Sequence, residues 1–231
     1  MTVDEHILID IGPQTYQHAK RLGVDLTKIT DILISHTHSD HYNKAALLSI
    51  RNDCGHSIRI HCHKDAVPQL ALCDEEQAQF ELCPLEVGEN RHIFGCKLTA
   101  IAANHLVEES NETPLHYILD VNGKHFFYGC DGGWFTAATW EYMRKNCVFD
   151  CMIFDATVGE MPGNFRIGTH NTFPMMQLII TALKENKMIH DGTLLIANHL
   201  AQTLHPSFEE TRKMYAGLGM RMAYDRLTIE F

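Results

Sequence analysis

His36-Thr-His38-Ser-Asp40-His41 places three imidazoles and a carboxylate within six residues. Neutral imidazole and carboxylate are ligands for zinc, iron or manganese, and a cluster without a thiolate is a harder, mixed nitrogen and oxygen donor set. In an extended segment residues i and i+2 point the same way, so His36 and His38 can share one ion. Asp40 and His41 come after the chain turns toward the next helix, so they can face a second ion. Three further candidates stand apart: His105 in Ala-Asn-His105, Asp131 in Tyr-Gly-Cys-Asp131-Gly-Gly, and His199 in Ala-Asn-His199. A solitary histidine is more often a core or surface residue than a ligand. What matters for these three is where the chain delivers them.

Each candidate follows a short apolar run that reads as a buried strand: residues 32–35 before His36, 98–102 before His105, 126–130 before Asp131 and 194–197 before His199. Sheet-based folds gather ligand sites at strand ends, where loops are held rigidly and side chains point into a shared cleft. The remaining pattern alternates strand and helix. Strands are expected at 7–11, 31–35, 57–62, 79–82, 96–102, 116–121, 124–130, 149–154, 193–197 and, as two short pieces, 222–231. Helices are expected at 14–22, 43–51, 64–72, 136–145, 172–185 and 206–215. Asn122-Gly123 marks a type I′ hairpin, and Phe173, Met176, Ile180 and Leu183 line one side of the helix at 172–185. With no linker, repeat or low-complexity segment, residues 1–231 read as a single α/β domain.

Composition excludes several function classes. Hydrophobic residues are 45% of the chain, enough for a sizeable core and against disorder. A formal charge of −10 gives no bulk attraction for nucleic acid, although a local site can still bind phosphate. No signal peptide and no apolar stretch near 18 residues is visible, so no membrane association is expected. None of the eight cysteines forms a Cys-x-x-Cys pair; they read as core residues in a reduced, cytoplasmic compartment. Cys130 precedes Asp131, and alternation puts it on the opposite face, toward the core. His61 and His63 form a second His-x-His pair but lack an Asp-His continuation, so they read as strand-end residues.

His36-x-His38-x-Asp40-His41, with His105, Asp131 and His199 in order behind it, resembles the metallo-β-lactamase superfamily, and the resemblance runs from residue 7 to 231. It implies a four-layer αβ/βα sandwich and a dinuclear hydrolase. It also implies that His36, His38 and His105 hold one ion, Asp40, His41 and His199 the other, and that Asp131 bridges them. Two divalent ions are expected as cofactors, zinc first, with manganese or iron as alternatives. The family normally places a strand pair and a Gly-containing turn before the segment matching 7–12, where only six residues stand here. Either the start is late or the first sheet is short of an edge hairpin, with stability or dimerisation affected.

Phe154-Asp155-Ala156-Thr157 and Gly168-Thr169-His170-Asn171 are similar to elements of the superfamily's phosphodiesterase branch, which includes cyclic-phosphate phosphodiesterases and the tRNA 3′-processing endonuclease. Ala223-Tyr224-Asp225 is similar to the ending of the former. The resemblance implies that His170, supported by Asp155, lies over the metals as general acid, with Asp40 able to orient the nucleophile. The expected mechanism is attack by a metal-bridging hydroxide on a phosphodiester. The charge arithmetic agrees. Two ions, less Asp40, Asp131 and a hydroxide, leave a locally positive centre that favours a small anionic substrate. The rival enzymes are a thioester, lactone or β-lactam hydrolase, which would not need His170, and a tRNA-processing endonuclease, disfavoured by the acidic charge and the lack of a basic arm. A ligand-retaining module without turnover is the non-enzyme reading, and a homodimer is left open. Trp134 and Phe135 could stack on a base or ring, but core burial is the commoner use of such residues.

Overall fold

A computed structural model of the chain describes residues 1–161 and 164–230. By their internal packing these residues fall into two compact units, 1–95 with 107–115, and 96–106 with 116–231.

In the first unit, β1 (Thr2–Val3), β2 (Ile7–Ile9), β3 (Asp31–Leu33), β4 (Ile58–His63) and β5 (Phe80–Leu85) form a five-stranded sheet in sequence order. β1 pairs antiparallel with β2, so the sheet keeps a two-residue edge strand, and the other neighbours pair in parallel. β2 and β3 are buried at every position, the continuous apolar pattern expected of parallel strands covered on both faces. Helices α1 (Thr15–Leu22) and α2 (Lys44–Cys54) close the crossovers. α2 is started by Asn43, whose side chain accepts from the Ala46 amide, and stopped by Gly55 at φ 70°. Leu8, Ile32, Ile34, Leu47, Ile50 and Ile60 meet in this unit's core. The helix expected at 64–72 is a 3-10 segment, Lys64–Leu70, because Pro68 removes an amide that an α-helix would need. A four-residue helix, α3 (Asp74–Gln77), and a strand, β6 (Asn90–Ile93), complete the unit; neither stands out in the sequence.

The second unit carries β7 (Cys96–Ala102), β8 (Leu115–Val121), β9 (Lys124–Gly129), α4 (Ala137–Asn146), β10 (Phe149–Asp155), α5 (Phe173–Glu185), β11 (Ile189–Asn198), α6 (Phe208–Gly217) and β12 (Met220–Met222). Its six strands run in the order β12-β11-β10-β9-β8-β7. β8 and β9 form the expected hairpin, with positive φ at both Asn122 and Gly123, as a type I′ turn requires. The strands from β9 through β12 pair in parallel. Phe127, Phe149, Phe154, Met176, Ile180 and Leu183 are buried in one core, so the apolar side of α5 faces inward as its spacing implies. α6 begins two residues later than Pro206 suggests, because Ser207 caps it and Glu210 returns to the Ser207 amide. The two terminal strands expected at 222–231 are not formed. β12 ends at Met222, residues 223–230 contain no strand, and Phe231 lies outside the described residues.

At the start of β3 the fully buried Asp31 accepts from Arg59 at 2.7 and 2.8 Å, His61 Nε2 at 2.8 Å and the Thr30 hydroxyl at 2.8 Å. Burial alone would raise its carboxyl pKa, but the bonds from His61, Arg59 and Thr30 prevail and hold it well below the ordinary 3.8. Removing one member of such a cluster leaves buried charge without its partner. We therefore expect Asp31→Ala to lower the unfolding free energy by about 3 kcal/mol in urea titration at neutral pH. Because the folded-state pKa is depressed, the carboxylate's contribution is complete above about pH 4. The gap between parent and variant should narrow as acid protonates the group below that point.

Candidate metal centre

In the first unit the chain leaving β3 delivers Ser35, His36, His38, Asp40 and His41 beside the end of β2, where Asp10 stands. Asp10 is buried and adopts a left-handed φ of 56°, a conformation that costs about 1 kcal/mol for a residue with a Cβ. Its carboxylate accepts from the Ser35 amide at 2.8 Å, the Ser35 hydroxyl at 2.9 Å and His41 Nδ1 at 2.7 Å. The hydroxyl's lone pair then faces His36 Nδ1 at 3.0 Å. Both rings are thereby held with Nδ1 protonated and the Nε2 lone pair directed away. His36 Nε2 lies 2.9 Å from His38 Nδ1, near the separation of about 3.3 Å required of two imidazoles roughly 2.1 Å from a tetrahedral ion. Asp40 is the most exposed of the set, with Oδ2 3.7 Å from His41 Nε2. Glu112 accepts from both the amide and the hydroxyl of Thr37, fixing the residue between the two histidines. Gly12 is needed here, because a Cβ would lie 2.3 Å from the Asp40 carbonyl oxygen.

In the second unit the ends of β7, β9, β10 and β11 converge. Asp131, Asp155, His170 and His199 each place one ligand-type atom within 4.8 Å of the others, and His105 Nε2 is 3.8 Å from Asp131 Oδ2. His105 Nδ1 donates to the Thr169 carbonyl at 3.0 Å, again freeing Nε2. His199, at φ 59°, has Nδ1 2.8 Å from the Thr157 hydroxyl and 2.9 Å from Asp131 Oδ1. The fully buried Asp155 accepts from the amides of Gly132 at 3.0 Å and Thr157 at 2.7 Å, and from His170 Nδ1 at 2.6 Å. His116 donates from Nε2 to the Asp131 carbonyl at 2.9 Å, and burial pushes its pKa down to about 4. It lies so close that a Cβ on Gly132 would sit 2.6 Å from its ring.

These residues fit a metal. Within each unit, imidazole Nδ1 atoms are engaged by a carboxylate, hydroxyl or carbonyl, which leaves the opposite nitrogens available, the way proteins orient histidine ligands; His38 instead turns Nδ1 toward His36. The structure thus brings His36, His38, Asp40 and His41 together in one unit, and His105, Asp131, Asp155, His170 and His199 in the other. His61 and His63 join neither set. His61 donates to Asp31, and His63 Nδ1 accepts from the amides of Asp65 and Thr113. Cys130 is buried, as its place before Asp131 suggests. The orienting residues Asp10, Glu112 and His116 escape a reading of the sequence, whereas Thr157 belongs to the Asp155-Ala156-Thr157 element that the resemblance marks. Asp10 alone carries a usable signal, a carboxylate ending an otherwise apolar strand. We expect Asp10→Ala to weaken zinc binding by about tenfold to a hundredfold in chelator competition; unchanged affinity would reduce Asp10 to a packing role.

A model of the β-lactamase superfamily domain matches residues 5–224. No curated protein matches the sequence. Solved structures do. Zinc-bound PqqB from Methylobacterium extorquens is 17% identical with a TM-score of 0.77, covering 100% of this chain and 86% of that one. A diphosphatase of the PhnP family is 22% identical with a TM-score of 0.75, covering 100% and 82%. The short form of human tRNase Z is 14% identical with a TM-score of 0.66, covering 100% and 90%. At these identities the likeness establishes the fold, the α/β sandwich with two mixed sheets. With nearly the whole length matched by the domain model, the chain belongs to the metallo-β-lactamase superfamily, as a metal-dependent hydrolase with a histidine and aspartate metal site.

Proposed function

We propose that this hydrolase is a dinuclear phosphodiesterase. In this reading His36, His38 and His105 would hold one ion and Asp40, His41 and His199 the other, with Asp131 as the seventh ligand, as the family pattern implies. Zinc is the metal assigned, by the imidazole-rich donor set and by the zinc-bound PqqB of the same fold. Divalent ions here would supply Lewis acidity, lowering the pKa of water and neutralising charge on a phosphoryl oxygen. The substrate is a small anionic diester, because a metal centre inside a chain of net charge −10 is a local positive site. The eight cysteines are all free, which supports a reduced compartment. No helix among the described residues is long and apolar enough to cross a membrane.

The observation that carries the reading is the Asp155–His170 pair. Asp155 holds the Nδ1 proton of His170 at 2.6 Å, leaving Nε2 to carry a second proton toward the substrate. The ring is only 13% exposed and lies beside those of His105 and His199, with centroids 4.9 and 6.1 Å away. A leaving alkoxide needs a proton, and a fixed, carboxylate-backed imidazole can supply it. Thioester cleavage expels a thiolate, which leaves without a proton, and makes no such demand for a dedicated acid in this position.

Elemental analysis and turnover test this reading. About two metals per chain and hydrolysis of bis-p-nitrophenyl phosphate, removed by chelation and restored by zinc, are expected. Cleavage confined to a thioester or lactone would overturn the phosphodiester assignment. The role of His170 has its own signature. Nitrophenolate leaves readily without a proton, whereas an alkoxide does not. His170→Ala should therefore slow an alkyl phosphodiester by about a hundredfold or more and bis-p-nitrophenyl phosphate far less. Equal losses on both would remove the general-acid role.

A further inference from the structure

One exposed segment of the second unit is unused by the chemistry above. After β10 the chain makes a 3-10 turn, Phe165–Gly168, capped by Asn164, whose side chain accepts from the Arg166 amide at 3.0 Å. Phe165 is 82% exposed, the most exposed large apolar residue described. The Arg166 guanidinium lies 4.7 Å from its ring centroid. Arg166 is half-buried, and among the described residues no carboxylate pairs with it. In a chain with ten more acidic than basic side chains, a cation left without an acidic neighbour is a place for an anion.

The turn is wired into the metal centre. The Arg166 carbonyl accepts from the amides of Thr169 at 2.9 Å and His170 at 2.8 Å, and the Thr169 carbonyl holds His105. Gly168 is in close contact with Gly133, two residues from Asp131, where a Cβ would sit 3.2 Å from the Gly168 oxygen. The next residue, Trp134, is 38% exposed, with its carbonyl fixed by Asn104. An aromatic face and a planar cation therefore stand on a segment whose backbone positions two histidines of the site.

We propose that Phe165 and Arg166 form a substrate clamp for a nucleotide, with Phe165 stacking on the base and Arg166 pairing with a phosphate oxygen. The proposal rests on the phosphodiesterase reading and narrows it to a diester bearing a planar base. An exposed aromatic next to an unpaired guanidinium suits both parts of a nucleotide. The ring offers a stacking face that any base can use, and the fork offers two parallel donors to a phosphate. A small alkyl phosphodiester would use only the second.

Titration calorimetry on the zinc-loaded protein, with thymidine 5′-monophosphate and inorganic phosphate as probes, tests this without requiring turnover. The parent should bind the nucleotide more tightly than phosphate. Phe165→Ala should weaken the nucleotide about tenfold, the scale of one lost base stack, and leave phosphate within about twofold. Arg166→Ala should weaken both probes, and Arg166→Lys should restore part of the phosphate affinity but not the rest. A parent that binds the nucleotide no better than phosphate, or a Phe165→Ala protein that binds it as the parent does, overturns the clamp. So does a parent dimer that Phe165→Ala converts to monomer in sedimentation with nucleotide binding unchanged, which would make the turn an interface between copies. Clamp-dependent nucleotide binding by a protein that cleaves no phosphodiester would instead overturn the catalytic reading alone.

Discussion

A carboxylate taken out of water must be surrounded by donors, and this constraint organises the second unit around Asp155. The side chain is fully buried and accepts from Gly132, Thr157 and His170. Those donors lie on three separate segments, so one residue fixes the turn after β9, the chain leaving β10 and the approach to α5. Asp131 is carried by the first of these segments, the hydroxyl that meets His199 by the second, and His170 by the third. Left with any of the three donors missing, the buried charge would be worth several kcal/mol less to the fold. The same side chain therefore serves architecture and chemistry, and the two roles cannot be separated by a single substitution at Asp155.

Asp10 repeats the arrangement in the first unit. It too ends a buried strand, adopts a left-handed backbone and gathers a serine amide, a hydroxyl and an imidazole. The consequence is a tautomer: donation from Nδ1 leaves Nε2 as the lone-pair nitrogen of both His36 and His41. His38, two residues from His36 on an extended stretch, presents Nδ1 instead. Asp31 shows that a buried carboxylate beside a histidine is not sufficient. There the partner histidine sits on the body of β4, the Arg59 guanidinium offsets the carboxylate's charge, and among the described residues no second imidazole bonds to it.

The strand ends were legible because parallel strands buried on both faces read as unbroken apolar runs, and the polar residue that ends each run is conspicuous. Thus β2, β3, β7, β9, β10 and β11 could be placed to within a few residues, and α5 could be oriented from four apolar positions. What stayed hidden was of two kinds. Short elements such as β6 and α3 have too few residues for any period to show, and Pro68 turned an expected helix into a 3-10 segment. The partners of the site residues were hidden for a different reason. Asp10 and His41 are 31 positions apart, Thr37 and Glu112 are 75 apart, and no local pattern relates them. Contiguity made the six-residue motif readable, whereas tertiary packing alone brings its supports into place.

Those hidden supports share a logic that ties the fold to the proposed chemistry. Gly12 and Gly132 stand where a Cβ would strike a backbone oxygen or the His116 ring, and Gly133 where it would be tight against the Gly168 oxygen, so at the first two the backbone carrying site residues packs closer than a side chain would allow. The side chains that hold the site residues, Asp10, Asp155 and His116, are buried beneath them. His116 illustrates the result: burial lowers its pKa to about 4, so near neutral pH it stays uncharged and acts only as a donor to the Asp131 carbonyl. A protonated His116 would place a buried cation directly beneath the Asp131 backbone. With that ring neutral and Asp155 held by three donors, the ligand set itself, with the metals it would bind, determines the charge of the centre.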